Sequence, residues 1–460
     1  MLNYPQPYLL HIASVVGVLL ALLLISQVLR SPREPATTIG WLIIIIFVPL
    51  IGIPLYLTFG VRKLDAKINR KTKIILEDTP NSYNHPLHSL LVSLGIPSSS
   101  SSNQVDFHKN GNEAYLALLA LLNNAQHTID IAIFVFGDDQ IGRKVLSCLE
   151  EKSVRGVKIR LLLDGVGSLM LPKKRLNQFI KNGGRAAWFI PVLHWPLRGR
   201  TNLRNHRKIV IADNRYVWTG GRNLANEYLG SDDAENSWVD LSFCLRGPAV
   251  AIYQQIFTAD WNFATNTHVS EKPSLQTAEK GRCRVQVIPS GPDIADDAIY
   301  VAILTACYEA VERILIVTPY YIPDTGVQEA LRLAALRGVA VDLILPAKSN
   351  HRLADIARNR YLRELDKVGI RIWFFPGRMV HAKALVVDKN FSMAGSANLD
   401  VRSLFLNYEV MSGFYSEKDI DWLATWLQSL RGQSLRYAPE PAGKFREMFE
   451  GLVQLAAYEL

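Results

Sequence analysis

Two stretches of the chain repeat one arrangement of reactive side chains. The first is His206-Arg207-Lys208-Ile209-Val210-Ile211-Ala212-Asp213, followed by Gly220-Gly221-Arg222-Asn223. The second is His381-Ala382-Lys383-Ala384-Leu385-Val386-Val387-Asp388, followed by Gly395-Ser396-Ala397-Asn398. The intervals from His to Lys, Asp, Gly and Asn all match. One such run could be accident; two in register are not. A neutral imidazole can attack phosphorus while an ammonium neutralises the non-bridging oxygens. Two copies supply one His to attack and another to protonate the leaving oxygen. The Gly-Gly and Gly-Ser turns let backbone approach an anion, and Asn223 and Asn398 add donors. No carboxylate cluster or HExxH run points to a catalytic metal, and no cofactor is implied.

These residues need elements to hold them. Each His-to-Asp stretch has the β-branched content of a buried strand, where His206 and Lys208 share a face, as do His381 and Lys383. Asp213 and Asp388 complete the catalytic signature in sequence. They fall an odd number of positions after the histidines, before turn-forming residues, so both read as structural: closing the turn or bracing the strand. The other eight histidines read as ordinary structural residues.

Around the motifs two halves repeat the same order of elements. In the first, a helix (residues 112–124) leads to a strand (128–136), a second helix ends at Arg155-Gly156-Val157, and a strand (158–164) follows. In the second, a helix (296–312) leads to a strand (314–317), a second helix ends at Arg337-Gly338-Val339, and a strand (340–346) follows. The pattern predicts an α/β fold built by duplication. Residues 106–275 and 276–460 form the two domains, behind a basic stretch and linker, 63–105. Residues from about 78 to 106 read as a polar, proline-broken connection or flexible lid.

Residues 1–29 carry no charged side chain, nor do residues 41–60. Runs over 9–29 and 41–60 match the ~20 residues that cross a hydrocarbon core, so residues 1–62 read as a two-helix membrane anchor, kinked at Pro49 and Pro54. Arg62, Lys63, Lys67, Arg70, Lys71 and Lys73 follow the second run, which puts the large C-terminal region in the cytoplasm. The net charge of +9 favours an anionic partner, whether nucleic acid, phospholipid or phosphorylated substrate. Four scattered cysteines with no CxxC pair argue against a disulfide framework or zinc site. His194-Trp195-Pro196-Leu197-Arg198, ahead of the first motif, reads equally as a headgroup contact or a packed loop. The basic run from Leu171 to Leu176 reads as a solvated helix face.

The paired motifs resemble the HxKxxxxD signatures of the phospholipase D superfamily, over nearly all of the soluble part. Within it the chain is most similar to bacterial cardiolipin synthases, through Asn205 to Val210, Gly220 to Leu224, Pro289 to Asp293, Thr318 to Pro323, Gly395 to Ser403 and Leu406 to Glu409. The resemblance implies two tandem phospholipase D-like domains in a pseudo-symmetric pair, preceded by two transmembrane helices, at the bacterial inner membrane. It implies transfer of a phosphatidyl group between two phosphatidylglycerol molecules, giving cardiolipin and glycerol through a phosphatidyl-histidine. His206 would be the nucleophile and His381 the acid/base. Glu409 would orient the histidine of the second half, and Asp240, a better match than Glu227, that of the first. The partners implied are phosphatidylglycerol and other anionic phospholipids, with no nucleic acid. Ser349-Asn350-His351-Arg352 and the tail depart from the synthase pattern. A hydrolytic phospholipase D, a superfamily nuclease and a non-enzymatic membrane protein are the competing readings.

Overall fold

The computed structural model describes residues 6–30, 35–60, 83–191, 201–230, 237–268, 281–294, 296–439 and 441–457. The chain divides into two units, Met1–Leu64 with Ile190–Leu203, and Asp65–Phe189 with Arg204–Leu460. The basic flank from Arg62 to Lys73 and the segment His194 to Arg198 lie outside the described residues.

The smaller unit contains the helices Gln6–Arg30, Pro35–Phe47 and Pro49–Phe59. The second charge-free run is therefore two helices rather than one kinked span. Pro49 disfavours helical geometry at the residue before it, and Val48 leaves the helical region, with φ −134° and ψ 58°. Pro54 lies inside the last helix. Among the described residues no helix is long and apolar enough to cross a membrane; side chains of the first helix are described from Val15 onward. Leu24, Val28, Ile45 and Tyr56 make a small shared core. Gly52 permits it, because a Cβ there would lie 2.5 Å from the Ile44 carbonyl oxygen. Most remaining apolar side chains face outward, including Leu23, Phe47 and Leu50.

The larger unit is built on β1 (Ser100–His108), β2 (Thr128–Ile133), β3 (Lys158–Asp164), β4 (Arg185–Phe189), β5 (Ile209–Ala212), β6 (Tyr216–Gly220) and β7 (Ser242–Arg246). The second half supplies β8 (Cys283–Ser290), β9 (Arg313–Val317), β10 (Tyr321–Ile322), β11 (Ala340–Pro346), β12 (Arg371–Phe375), β13 (Ala384–Val387), β14 (Phe391–Gly395), β15 (Leu399–Asp400), β16 (Glu409–Phe414) and β17 (Leu435–Arg436). Fifteen of these form one sheet, in the order β17-β12-β11-β9-β13-β14-β16-β8-β1-β7-β6-β5-β2-β3-β4. From the outside inward, β4-β3-β2-β5-β6-β7-β1 matches β12-β11-β9-β13-β14-β16-β8 strand for strand. The duplication read from the sequence is thus a pair of seven-stranded units joined where β1 runs antiparallel to β8.

The repeated turns work as local chemistry requires. Gly156 and Gly338 take φ of 90° and 92°, which ends each helix and starts the next strand. Asp139 and Asp324 cap the N-termini of those same helices, accepting from Gly142 N and Val327 N. One core packs Leu118, Val145, Leu161 and Val210, and its counterpart packs Ile303, Leu331, Leu343 and Leu385.

The stretch expected as a linker contributes structure at the centre. Helix Pro86–Ser93 sends Leu87 and Leu91 into the second core, and Ser100–His108 is the strand joining the halves. Its polar residues give no strand signal. It is held by its neighbours: Asn103 donates to the Cys283 carbonyl and accepts from Ala249 N, while Phe107 stacks on Trp422 at 4.5 Å. Downstream, Leu176 and Phe179 of helix Lys173–Lys181 turn inward, leaving its lysines outside.

Candidate active site

Each motif histidine stands on the extended segment ahead of a central strand, His206 before β5 and His381 before β13. These lead-in segments do not stay within their own half. Asn205 bridges Tyr408, and Val380 bridges Val239. His206 N donates to Tyr408 O at 2.9 Å and Tyr408 N to Arg204 O at 2.8 Å. The same pair of bonds recurs as His381 N to Val239 O at 2.7 Å and Val239 N to Met379 O at 2.8 Å. Each motif is therefore stitched to the segment carrying the other half's carboxylate.

The consequence is an exchange of partners. His206 Nδ1 lies 2.9 and 3.1 Å from the Glu409 carboxylate oxygens, and His381 Nδ1 lies 2.7 Å from Asp240 Oδ2. The sequence reading pairs each carboxylate with the histidine of its own half; the structure crosses them. Linear order cannot reveal that swap, because it arises from bridges between halves.

All four side chains are buried. Burial lowers the pKa of His206, with Lys208 adding to the effect and Glu409 opposing it. Burial and Lys383, whose Nζ lies 2.7 Å from Nδ1, bring His381 down to about 3. Burial of Asp240 works the other way, yet Lys383 and His381 outweigh it and hold the carboxyl at about 2. Burial thus favours the neutral form of both rings; Nδ1 of each faces a carboxylate, and Lys383 Nζ also lies 3.1 Å from Nε2 of His381.

The lysines lie among them. Lys208 Nζ donates to His206 O at 2.7 Å, and Lys383 Nζ donates to His381 O. Each ammonium acts on the opposite histidine as well as its own, and Lys383 depresses Lys208. Two imidazoles, two carboxylates and two ammonium groups therefore share one electrostatic neighbourhood. Burial brings Lys383 to about 8 and Lys208 well below its ordinary range. Catalytic kcat/KM should therefore fall as pH rises through about 8, where Lys383 loses its proton. Between about 8 and 10.5 the unfolded chain binds more protons at this group than the folded chain, so the stability penalty from this group shrinks as pH rises through that window. A pH–rate profile beside a pH–Tm profile checks that activity is lost before structure.

The motif aspartates sit elsewhere. Asp213 accepts from Gln126, His127 and Thr128 N at 2.7 to 2.9 Å; Asp388 accepts from Val311, Glu312 and Arg313 N at 2.7 to 2.9 Å. They take φ of 52° and 49°, a conformation short polar residues tolerate. Seven residues of extended chain, about 20 Å, separate each from its histidine. Their placement in the catalytic signature is corrected to the bracing role. Asp388→Ala should lower stability by about 2–4 kcal/mol, by orphaning three amides, while the folded fraction keeps its turnover. Thermal unfolding and rate per folded molecule separate the two effects.

The glycine turns serve close packing instead of anion binding, because Gly221 N and Ser396 N already donate to Leu241 O and Val410 O. A Cβ on Gly221 would fall 2.2 Å from Asp240 Oδ1. At the matching position Ser396 has a side chain, and its hydroxyl donates to Glu409 Oε2. Asn223 Oδ1 accepts from Val135 N at 3.1 Å, and Asn398 Nδ2 donates to Asp400 Oδ2 at 3.0 Å.

Several supports carry no motif. Asp164 receives Asn205 N at 2.9 Å and pairs with Arg204. Arg207 is fully buried on Asp260, at 2.7 and 2.8 Å. Phe134 meets the His206 ring edge-on at 4.9 Å, and Tyr228 and Trp238 lie 5.1 Å from the His381 ring. An Arg inside the first motif, absent from the second, is the one sequence signal that could have marked Arg207.

The family model described as cardiolipin synthase, PLD-like domain, matches residues 118–261 and 303–431. A second, phospholipase D-nuclease N-terminal, matches residues 19–60. The cardiolipin synthase of Listeria monocytogenes serotype 4a (strain HCC23) is 32% identical over 442 residues, covering 90% of this chain and 91% of that one. The major cardiolipin synthase ClsA of Bacillus subtilis (strain 168) is 32% identical over 433 residues, covering 88% and 89%. Among solved structures, the phosphatidylserine synthase of Haemophilus influenzae Rd KW20 shares the fold, with a TM-score of 0.62 and 15% identity over 81% of this chain and all of that one.

Proposed function

The chain belongs to the family of cardiolipin synthases with phospholipase D-like domains, and from that premise we propose that it joins two phosphatidylglycerol molecules into cardiolipin, releasing glycerol. One imidazole forms an Nε2–phosphorus bond to the first lipid as the phosphorus–oxygen bond to glycerol breaks. The other imidazole, which takes up a proton on Nε2 once the anionic phosphodiester sits beside it and favours its charged form, gives the departing oxygen that proton. It then takes a proton from a hydroxyl of the second lipid, whose oxygen attacks phosphorus and breaks the nitrogen–phosphorus bond. Two in-line displacements give retention at phosphorus. Lys208 and Lys383 offset the charge on the non-bridging oxygens, and Asp240 and Glu409 hold the tautomers.

The observation that carries this reading is the pair of buried histidines, each held by a carboxylate of the opposite half, with both lysines acting on both rings. A lipid substrate fits the helical unit, where Leu23 is 68%, Phe47 76% and Leu50 90% exposed. Such a surface suits burial in lipid. We assign residues 1–62 to a membrane anchor on that ground, at the bacterial inner membrane, with the catalytic domains on the cytoplasmic side. The test supplies the purified full chain in micelles with labelled phosphatidylglycerol alone. Cardiolipin and glycerol in equal amounts support the proposal. Phosphatidic acid as the sole product would replace it with a hydrolytic phospholipase D.

A further inference from the structure

The strands that follow the motif histidines bring two loops to the same end of the sheet. β2 runs antiparallel to β5 and parallel to β3, so β3 ends on the side from which His206 enters. β9, β13 and β11 repeat the arrangement, and β11 ends beside the entry of His381. The loop 165–172 after β3 is tied to the site at its base. Asp164 Oδ1 accepts from Val166 N at 2.9 Å and Gly167 N at 3.1 Å, while Oδ2 receives Asn205 N, next to His206. Ser168 Oγ donates to Phe134 O at 2.8 Å, and Phe134 is the ring that meets His206 edge-on. Leu171 returns to the core. Between Ser168 and Leu171 the tip is turned out: Leu169 is 63% and Met170 84% exposed. Val166 is exposed on the same loop, and Lys173 and Lys174 stand exposed directly behind the tip.

The second half has a different construction at the matching place. Residues 347–351 follow β11 as the first loop follows β3. The Tyr320 ring lies 5.4 Å from the His351 ring, and its hydroxyl donates to Asn350. Tyr320 is also within electrostatic reach of Tyr228, which faces His381. Helix Arg352–Lys367 starts there, with Arg352 and Leu353 exposed. Helix Lys444–Ala457 lies along it in the opposite direction, since Glu450 pairs with Arg363 and Gln454 Nε2 donates to Ala357 O at 3.3 Å. Val453 closes the contact against Ala354 and Ala357. This seating leaves Phe445, Met448, Phe449 and Leu452 outside, at positions i, i+3, i+4 and i+7, with Phe445 85% exposed. The helix is already held by its opposite face, so the outer stripe does nothing for the fold.

We infer that the Leu169–Met170 tip and the outer face of helix Lys444–Ala457 form a docking surface by which the catalytic unit lies on an anionic phospholipid layer. The inference rests on the phosphatidyl-transfer reading and deepens it, by stating how the site meets a substrate that stays in the layer. Two observations select lipid as the occupant. Exposed apolar side chains stand at matching ends of β3 and β11, one set for each histidine, although the loop and the C-terminal helix share no sequence pattern. Cations accompany both sets, Lys173 and Lys174 behind the tip and Arg352 beside Leu353, which complements anionic headgroups. Apolar side chains of this exposure enter the boundary between headgroups and acyl chains, and lysines behind them reach phosphates. Docked in this way, the unit draws a headgroup and its phosphate up to the imidazoles while the acyl chains stay in lipid. The helical unit tethers the chain; this surface orients the chemistry.

The experiment reconstitutes the full chain in phosphatidylglycerol vesicles that contain lipid with a nitroxide on its acyl chain. A fluorophore is attached through Met170→Cys, Phe449→Cys or Val311→Cys, the four native cysteines being buried or half-buried. Val311 is exposed ahead of β9, at the end of the strand away from the site. The nitroxide should quench the labels at Met170 and Phe449 and spare the one at Val311. Lys173→Gln with Lys174→Gln should cut the docked-to-free ratio at Met170 about thirtyfold in phosphatidylglycerol. Quenching at Met170 and Phe449 no stronger than at Val311 overturns the surface, and so does shielding that follows protein density without quenching, the result expected of a second copy. Cardiolipin made in the same vesicles reports that each labelled chain is folded. Docking with no cardiolipin from the unlabelled wild type would instead overturn the phosphatidyl-transfer reading and leave the surface standing.

Discussion

His381→Ala and His206→Ala should each lower cardiolipin formation by about 10⁴-fold or more, with Tm changed little. The magnitude follows from what each ring does: one makes the covalent bond, and the other moves a proton in both displacements. The rings act as a unit, so the double variant should be hardly slower than either single one. Neither ring is replaceable by its neighbour, since Asp240 and Glu409 fix each Nδ1 and so fix where each Nε2 points. Initial rates from phosphatidylglycerol, with thermal unfolding on the same samples, check both parts. A loss of rate in proportion to a loss of folded protein would speak against the assignment.

The second large effect concerns stability. Arg207→Met should destabilise the larger unit by about 3–5 kcal/mol, the usual cost of leaving a buried charge without its partner. Arg207 Nη1 contacts both oxygens of Asp260, Nε donates to Glu409 O at 3.0 Å and Nη2 to Ser290 O at 3.1 Å. A single side chain thus ties the first motif to helix Val250–Thr265 and to β8 and β16 of the second half. Asp260 would keep only part of its support, such as the 3.0 Å bond from Asn205 Nδ2. Arg207→Met combined with Asp260→Leu should recover part of the loss, because no uncompensated carboxylate remains. The difference in Tm between the single and double variants measures it.

The duplication was legible because it is written in local signals. Arg-Gly-Val ends a helix in each half, since glycine alone takes φ near 90° freely, and the strands after it begin at Lys158 and Ala340 as read. The paired His and Lys residues were legible through spacing alone, as was the bracing role of Asp213 and Asp388 through strand alternation. Three features were not. Ser100–His108 joins the halves through bonds to distant strands, and its serines carry no propensity that announces it. The crossed pairs His206–Glu409 and His381–Asp240 depend on bridges at Tyr408 and Val239, a long-range register that periodicity does not encode. Gly221 and Ser396 read as anion-binding turns, whereas their amides bond to neighbouring strands and their side-chain positions accommodate the two carboxylates. What failed was long-range pairing, not local chemistry.

The central claim is that two histidines from different halves share one phosphodiester through a covalent intermediate. Rapid quenching into alkali during turnover of phosphorus-labelled phosphatidylglycerol tests it most directly, because a phosphoramidate survives base and hydrolyses in acid. The account predicts label on the wild-type protein, stable in alkali, released by acid, and formed no slower than cardiolipin appears. Steady cardiolipin synthesis with no protein-bound label at any quench time would contradict it.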